Sequence, residues 1–162
     1  MNILYLHGLE SKLNEAKRVR LQKYGKVFAP NIDYHNIPNA IEWVLGKYAD
    51  TKFGAVIGSS MGGFAGYHIS NKLNVPALLF NPALKTRSTF QQVPENIGDS
   101  SSLKQLVIGQ RDPAVKPAET LHFLGEHLNR GTDLYLHLRP EMEHRVPLAC
   151  FEQELKTFFE RL

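Results

Sequence analysis

The chain has 162 residues, a length that fits one domain with a core of its own, residues 1–162. Hydrophobic residues make up 43% and charged residues 22%, which excludes a disordered tail or a fibrous repeat. The net charge of +3 comes from dispersed basic residues without aromatic interleaving, so nucleic-acid binding is not expected.

The densest basic group is Lys12, Lys17, Arg18, Arg20 and Lys23. Glu10 and Glu15 accompany it, and it reads as the solvated face of a surface helix with at most a weak pull on anionic substrates or surfaces. The lone cysteine, Cys150, rules out an intramolecular disulfide and reads as apolar filler in a C-terminal helix. No apolar run is long enough to span a bilayer, so no membrane insertion is expected. Met1 leads directly into a strand pattern without a leader-like segment, and a cytoplasmic location is expected. A homo-oligomer is compatible with this composition.

Strand-like runs alternate with helix-length segments along the chain. Ile3-Leu4-Tyr5-Leu6 is a buried strand ending at His7-Gly8. Residues 11–24 have helical spacing, with Gly25 expected as the closing residue. Val27-Phe28-Ala29 is a short strand stopped by Pro30, and a helix follows Pro38. A strand over 54–58 leads into a tight turn and a helix from Met61 to about Leu73. Ala77–Phe80 is a strand stopped by Asn81-Pro82. Residues 84–102 are polar and irregular, expected as a loop with one short helix at most. Leu106–Gly109 is a strand, a helix runs from Pro117 to near Asn129-Arg130-Gly131, and Leu134–Leu138 is the last strand. A final helix begins near Pro147.

This is the α/β pattern: a six-stranded parallel sheet with helices on both faces. In such sheets the ligand crevice lies beyond the carboxyl ends of the strands. Polar punctuation falls there, at His7-Gly8, at Ser60, at Asp112 and at His144.

Gly58-Ser59-Ser60-Met61-Gly62 is a G-x-S-x-G turn between a strand and a helix, the context of a nucleophile elbow. Ser60 occupies the central position, and Ser59 reads as a small strand-end residue. A serine hydroxyl needs a base to take its proton, and an imidazole base needs a carboxylate to hold its tautomer. The order Ser, acid, His then selects Asp112, in the loop after 106–109, over Asp99, Asp133, Glu119 and Glu126. It selects His144, in the turn after the last strand, over His122, His127 and His137.

The Met61 amide, next after the nucleophile, and the Leu9 amide, in the loop after the first strand, are the expected oxyanion donors. Gly8 lets the backbone approach substrate, and His7 is expected to shape that loop through a side-chain hydrogen bond. Asp33, Tyr34 and His35 follow the second strand. Tyr34 joins His7 and Gly8 as expected substrate-binding residues, with an ordinary polar loop as the alternative reading. No metal or cofactor is called for.

Met1-Asn-Ile-Leu-Tyr-Leu-His-Gly8, Gly58-Ser-Ser-Met-Gly-Gly63, Phe80-Asn-Pro82, Gly109-Gln-Arg-Asp112 and Glu143-His144 together resemble the small bacterial YqiA/YcfP-type esterases of the α/β-hydrolase superfamily. The resemblance spans nearly the whole chain. It implies a minimal α/β-hydrolase fold without the first two strands of larger hydrolases, and a Ser60, Asp112, His144 triad. It also implies esterase activity on short-chain acyl esters, with thioesterase activity as an extension. The short 84–102 segment leaves little room for a large lid, which argues against long-chain lipase activity and suggests an open, shallow acyl site. Two other functions stay open: a thioesterase or acyltransferase with the same triad, and a hydrolase-fold interaction protein with little turnover.

Overall fold

The computed structural model describes residues 1–98, 100–127 and 131–162. Its strands are β1 (Asn2–Leu6), β2 (Lys26–Phe28), β3 (Ala55–Ser59), β4 (Ala77–Phe80), β5 (Lys104–Gly109) and β6 (Leu134–Arg139). Its helices are α1 (Glu15–Gln22), α2 (Ala40–Lys47), α3 (Met61–Leu73), α4 (Pro117–His127) and α5 (Leu148–Phe159). The strands form one six-stranded sheet in the order β2-β1-β3-β4-β5-β6, with every neighbouring pair parallel.

The continuous apolar strands follow from burial on both faces, since successive side chains point to opposite sides. Leu4, Leu6, Val56, Leu79 and Leu106 turn to one face, where Ile41 and Val44 of α2, Phe64 and Ile69 of α3 and Leu124 of α4 cover them. Ile3, Tyr5, Ile57, Leu78, Phe80 and Val107 turn to the other, against Leu21 of α1 and Phe151, Leu155 and Phe158 of α5. Burial of one such Leu or Phe contributes roughly 1.5–3 kcal/mol, so the two layers supply most of the drive to fold.

Helix α1 is shorter than its spacing predicts. It begins at Glu15 because the Asn14 side chain accepts a hydrogen bond from the Lys17 N–H at 2.9 Å, satisfying a free donor of the first turn. Gly25 does not close it in a left-handed conformation; its missing Cβ instead makes room for the Met1 carbonyl. Residues 84–98 carry no helix. They are fastened to the 34–38 loop, where Gln91 Nε2 donates to the Tyr34 carbonyl at 2.7 Å and Gln92 N–H to the Pro38 carbonyl at 2.7 Å. Asn129-Arg130, the expected end of α4, lie outside the described residues.

The chain runs from β1 outward to β2, then returns to β3 on the other side of β1. Connections therefore leave β1 and β3 in opposite directions, and a crevice opens between their carboxyl ends. No helix among the described residues is long and apolar enough to cross a membrane.

Candidate active site

At the end of β3 the backbone turns sharply at Ser60, whose φ of 55° and ψ of −118° are rare for a residue with a Cβ. Such a conformation costs on the order of 1–3 kcal/mol and persists only where its surroundings enforce it. Here they do. Ser60 N–H donates to the Phe80 carbonyl at 2.9 Å, and the Ser60 carbonyl accepts from Phe64 N–H at 3.0 Å and Ala83 N–H at 3.1 Å. A Cβ on Gly58 would strike the Gly62 carbonyl, and one on Gly62 would strike the carbonyls of Leu6 and His7. Strand β1, the turn and helix α3 approach one another too closely for side chains at those two positions.

Asp112 follows β5 and is buried, with 4% of its surface exposed. Its Oδ1 accepts from the N–H groups of Ala114 at 2.8 Å and Val115 at 2.9 Å. Its Oδ2 lies 2.7 Å from His144 Nδ1. A carboxylate only accepts, so Nδ1 carries the proton of a neutral His144 and Nε2 is left with its lone pair. Ser59, Ser60, Met61, Leu9 and His144 line one cavity of about 1010 Å³. That volume is at the upper end of the usual range for small-molecule sites. No hydrogen bond joins Ser60 Oγ to His144 among the described residues; in ligand-free enzymes this contact is often long and tightens around substrate. The N–H groups of Leu9 and Met61 donate to no protein acceptor among the described residues.

The competing acids and histidines lie elsewhere. Asp133 sits before β6, at the opposite edge of the sheet, where its carbonyl accepts from Lys104 N–H at 2.8 Å. Glu119 and Glu126 belong to α4. Glu141 pairs with Arg111 at 2.9 Å, and Asp99 lies outside the described residues. His137 Nδ1 lies 2.6 Å from the buried Glu154 Oε2, His122 pairs with Glu126 at 3.0 Å, and His127 Nδ1 meets the Phe123 carbonyl at 3.0 Å. Cys150 is half-buried with Sγ 3.7 Å from Met142 Sδ, and burial pushes its thiol pKa up.

His7 and Tyr34, expected from the sequence at the substrate, lie behind the Gly8-Leu9 loop and do not line the cavity. The Ile32 N–H donates to His7 Nε2 at 2.9 Å, which leaves the His7 proton on Nδ1, 2.7 Å from the Gly8 carbonyl it donates to. Burial lowers the His7 pKa, the stronger of two opposed effects, since the Gly8 hydrogen bond raises it. Tyr34 OH donates to the His7 carbonyl at 3.0 Å, and burial pushes its pKa above the ordinary phenol value. Both residues brace the loop from below, while Gly8 and Leu9 reach the cavity.

One buried residue whose side chain the sequence does not place is Asn81, left-handed at φ 41°. Its Oδ1 accepts from Gly109 N–H at 2.7 Å, and its Nδ2 donates to the carbonyls of Glu143 at 3.0 Å and His144 at 3.2 Å. The available signal was the Asn-Pro pair stopping a strand, which marks a turn without revealing its distant partners. Among the described residues no group of three or more His, Cys, Asp or Glu side chains is placed to hold a metal ion.

No curated protein sequence matches the chain significantly. Among solved structures it is similar to a candidate hydrolase of the α/β superfamily from Xanthomonas campestris pv. campestris, at TM-score 0.74 and 14% identity, with 99% of each chain covered. It is similar to esterase PE8 at TM-score 0.70 and 14% identity, covering 99% of this chain and 92% of that one. A lidless α/β serine hydrolase from Xanthomonas campestris matches at TM-score 0.61 and 14% identity, over 98% of this chain and 81% of the other. The fold is therefore that of the α/β hydrolases. The model of the uncharacterised protein family UPF0227 matches residues 2–105, a span that runs from β1 through the elbow to the first residues of β5. The chain belongs to the UPF0227 family.

Proposed function

We propose that this protein is a serine hydrolase that cleaves small carboxylic esters through an acyl-enzyme. The observation that carries the reading is the sharing of one cavity by Ser60, on its strained turn, and His144, whose Nδ1 is 2.7 Å from the buried Asp112 carboxylate. In this reading His144 Nε2 takes the Ser60 hydroxyl proton as Oγ attacks the ester carbonyl. Asp112 holds the tautomer and stabilises the imidazolium that forms. The Leu9 and Met61 N–H groups receive the oxyanion; such a donor contributes about 2.7–4 kcal/mol to lowering the barrier. His144 then hands its proton to the departing alcohol, and water attacks the acyl-serine by the same route in reverse. The same machinery would cleave a thioester or pass the acyl group to another acceptor.

A fluorophosphonate probe tests the reading directly. Stoichiometric labelling of the wild type that is absent in Ser60→Ala, together with hydrolysis of p-nitrophenyl acetate and butyrate, is expected. Unlabelled wild-type protein, or labelling kept in Ser60→Ala, would sink the nucleophile assignment.

A further inference from the structure

The basic residues of the Lys12–Lys23 stretch do not share one solvated face. Arg20 Nε and Lys23 Nζ both turn to Glu152 of α5, at 3.0 and 2.9 Å. Lys12 and Lys17 line the cavity that holds Ser60, as do Arg87 and Arg145. None of these four cations has a carboxylate partner among the described residues, whereas Arg20, Lys23, Lys85, Arg111, Arg139 and Lys156 each do. Among the described residues the cavity wall carries a single acidic residue, Glu10, and its Oε1 is 3.2 Å from His35 Nε2. The wall therefore has a clear excess of positive charge beside the elbow, and a concave wall of one sign concentrates its field.

Arg87 stands out within this set. It is only partly exposed, its guanidinium centre lies 3.9 Å from the Phe64 ring centroid, and its buried Nε has no hydrogen-bond partner. Its Nη1 donates to the carbonyls of Ala83 at 3.2 Å and Leu84 at 2.7 Å. The Ala83 N–H in turn donates to the Ser60 carbonyl at 3.1 Å. Two hydrogen bonds thus fix the guanidinium relative to the nucleophile's backbone. A partly desolvated guanidinium without a counter-ion is costly, and stacking on Phe64 offsets only part of that. Nε is closed off by burial and Nη1 is engaged, so an incoming carboxylate or phosphate would meet the guanidinium at Nη2, which makes no hydrogen bond among the described residues.

Building on the acyl-enzyme reading of Ser60, we propose that this cavity selects esters carrying an anionic arm, with Arg87 as the principal specificity residue and Lys12 and Arg145 supplying the rest of the positive wall; the Lys17 ammonium, 5.0 Å from the Phe151 ring centroid, is already engaged. The arm is a carboxylate or a phosphate, two anions that the same guanidinium accepts.

The test compares kcat/KM for three p-nitrophenyl esters of matched length: the hydrogen adipate, its neutral methyl adipate counterpart, and an ω-phosphonopentanoate. The wild type is expected to favour at least one anionic ester over the neutral one by about tenfold or more, the scale of a charge-assisted contact. The preferred anion identifies the arm. Arg87→Gln should lower that ratio at least about fivefold, with part of it kept in Arg87→Lys. Lys85→Gln, which removes a cation paired with Glu126 away from the cavity, should leave the ratio unchanged. The inference is overturned if the wild type treats the neutral ester as well as both anionic ones, or if Arg87→Gln leaves the ratio intact. Ser60-dependent hydrolysis of the neutral ester without anionic preference removes this inference alone. Absence of any Ser60-dependent turnover removes the acyl-enzyme reading with it.

Discussion

Asn81 holds His144 by its main chain, its Nδ2 donating to the His144 carbonyl at 3.2 Å. The same amide group accepts from Gly109 N–H at 2.7 Å, so one side chain joins the end of β4 to the end of β5 and to the loop before α5. The loops bearing Asp112 and His144 are thereby kept in register across the sheet.

Asn81→Ala should cost about 2–4 kcal/mol in urea unfolding, since it strips the buried Gly109 N–H of its acceptor and puts alanine at a positive φ. Under conditions where the variant stays folded, kcat should fall about tenfold or more. Asn81→Asp keeps an acceptor for Gly109 but sets a carboxylate oxygen against two carbonyls, and should be no more stable than the alanine variant. Wild-type kcat in either variant would show that the bridge does not position His144.

Asp112→Asn separates the orienting role from folding. One side-chain oxygen can still accept from the Ala114 and Val115 N–H groups. The new amide NH₂ then faces His144 Nδ1 and favours the wrong tautomer. Ester kcat should fall on the order of 10⁴-fold, while the unfolding midpoint moves little. Near-normal turnover would remove Asp112 from the proposed triad.

Glycine substitutions should divide sharply by place. Gly62→Ala drives a Cβ into the carbonyls of Leu6 and His7 and should leave little folded protein, a loss above about 3 kcal/mol. Gly125→Ala, in the exposed part of α4 with open space around its Cβ, should stabilise by about 0.5–1 kcal/mol. Thermal melts of the two variants check both signs.

Lys104 is buried at the start of β5, where its Nζ donates to the Ser102 carbonyl at 3.1 Å. Burial pulls its pKa down from 10.5 to about 8. Between those two pH values the unfolded chain holds a proton that the folded one has released, so wild-type stability gains a contribution as pH rises through this window. Lys104→Met removes the buried charge. It should be more stable than wild type by about 1–3 kcal/mol at pH 7, with the gap closing toward pH 10. A gap independent of pH would show that the ammonium is not the cause.

Much of this architecture was legible in the chain because its signals are local. A strand buried on both faces must be apolar throughout, so Ile3–Leu6 and Ala77–Phe80 announce themselves. The need for glycine at Gly58 comes from a clash within the turn itself, with the Gly62 carbonyl, whereas Gly62 is required by the neighbouring carbonyls of Leu6 and His7. Ser60, Asp112 and His144 could be selected because strand ends alternate with helices, and that order puts all three at one edge of a parallel sheet. Other features depend on contacts between residues distant in sequence, which no local pattern encodes. Tyr34 and His7 read as cleft residues because they follow strands, but the Ile32 N–H and the His7 carbonyl draw them behind the loop. Lys12, Lys17 and Arg20 belong to one basic stretch, and only the tertiary structure pairs Arg20 with Glu152 of α5, sets the Lys17 ammonium over the Phe151 ring and leaves Lys12 on the cavity wall. The amino-acid sequence by itself determined the strand-and-helix alternation and the chemistry at the strand ends. The tertiary structure decided which charges were neutralised and which were left facing Ser60, because pairing depends on which side chains the fold brings within a few ångströms.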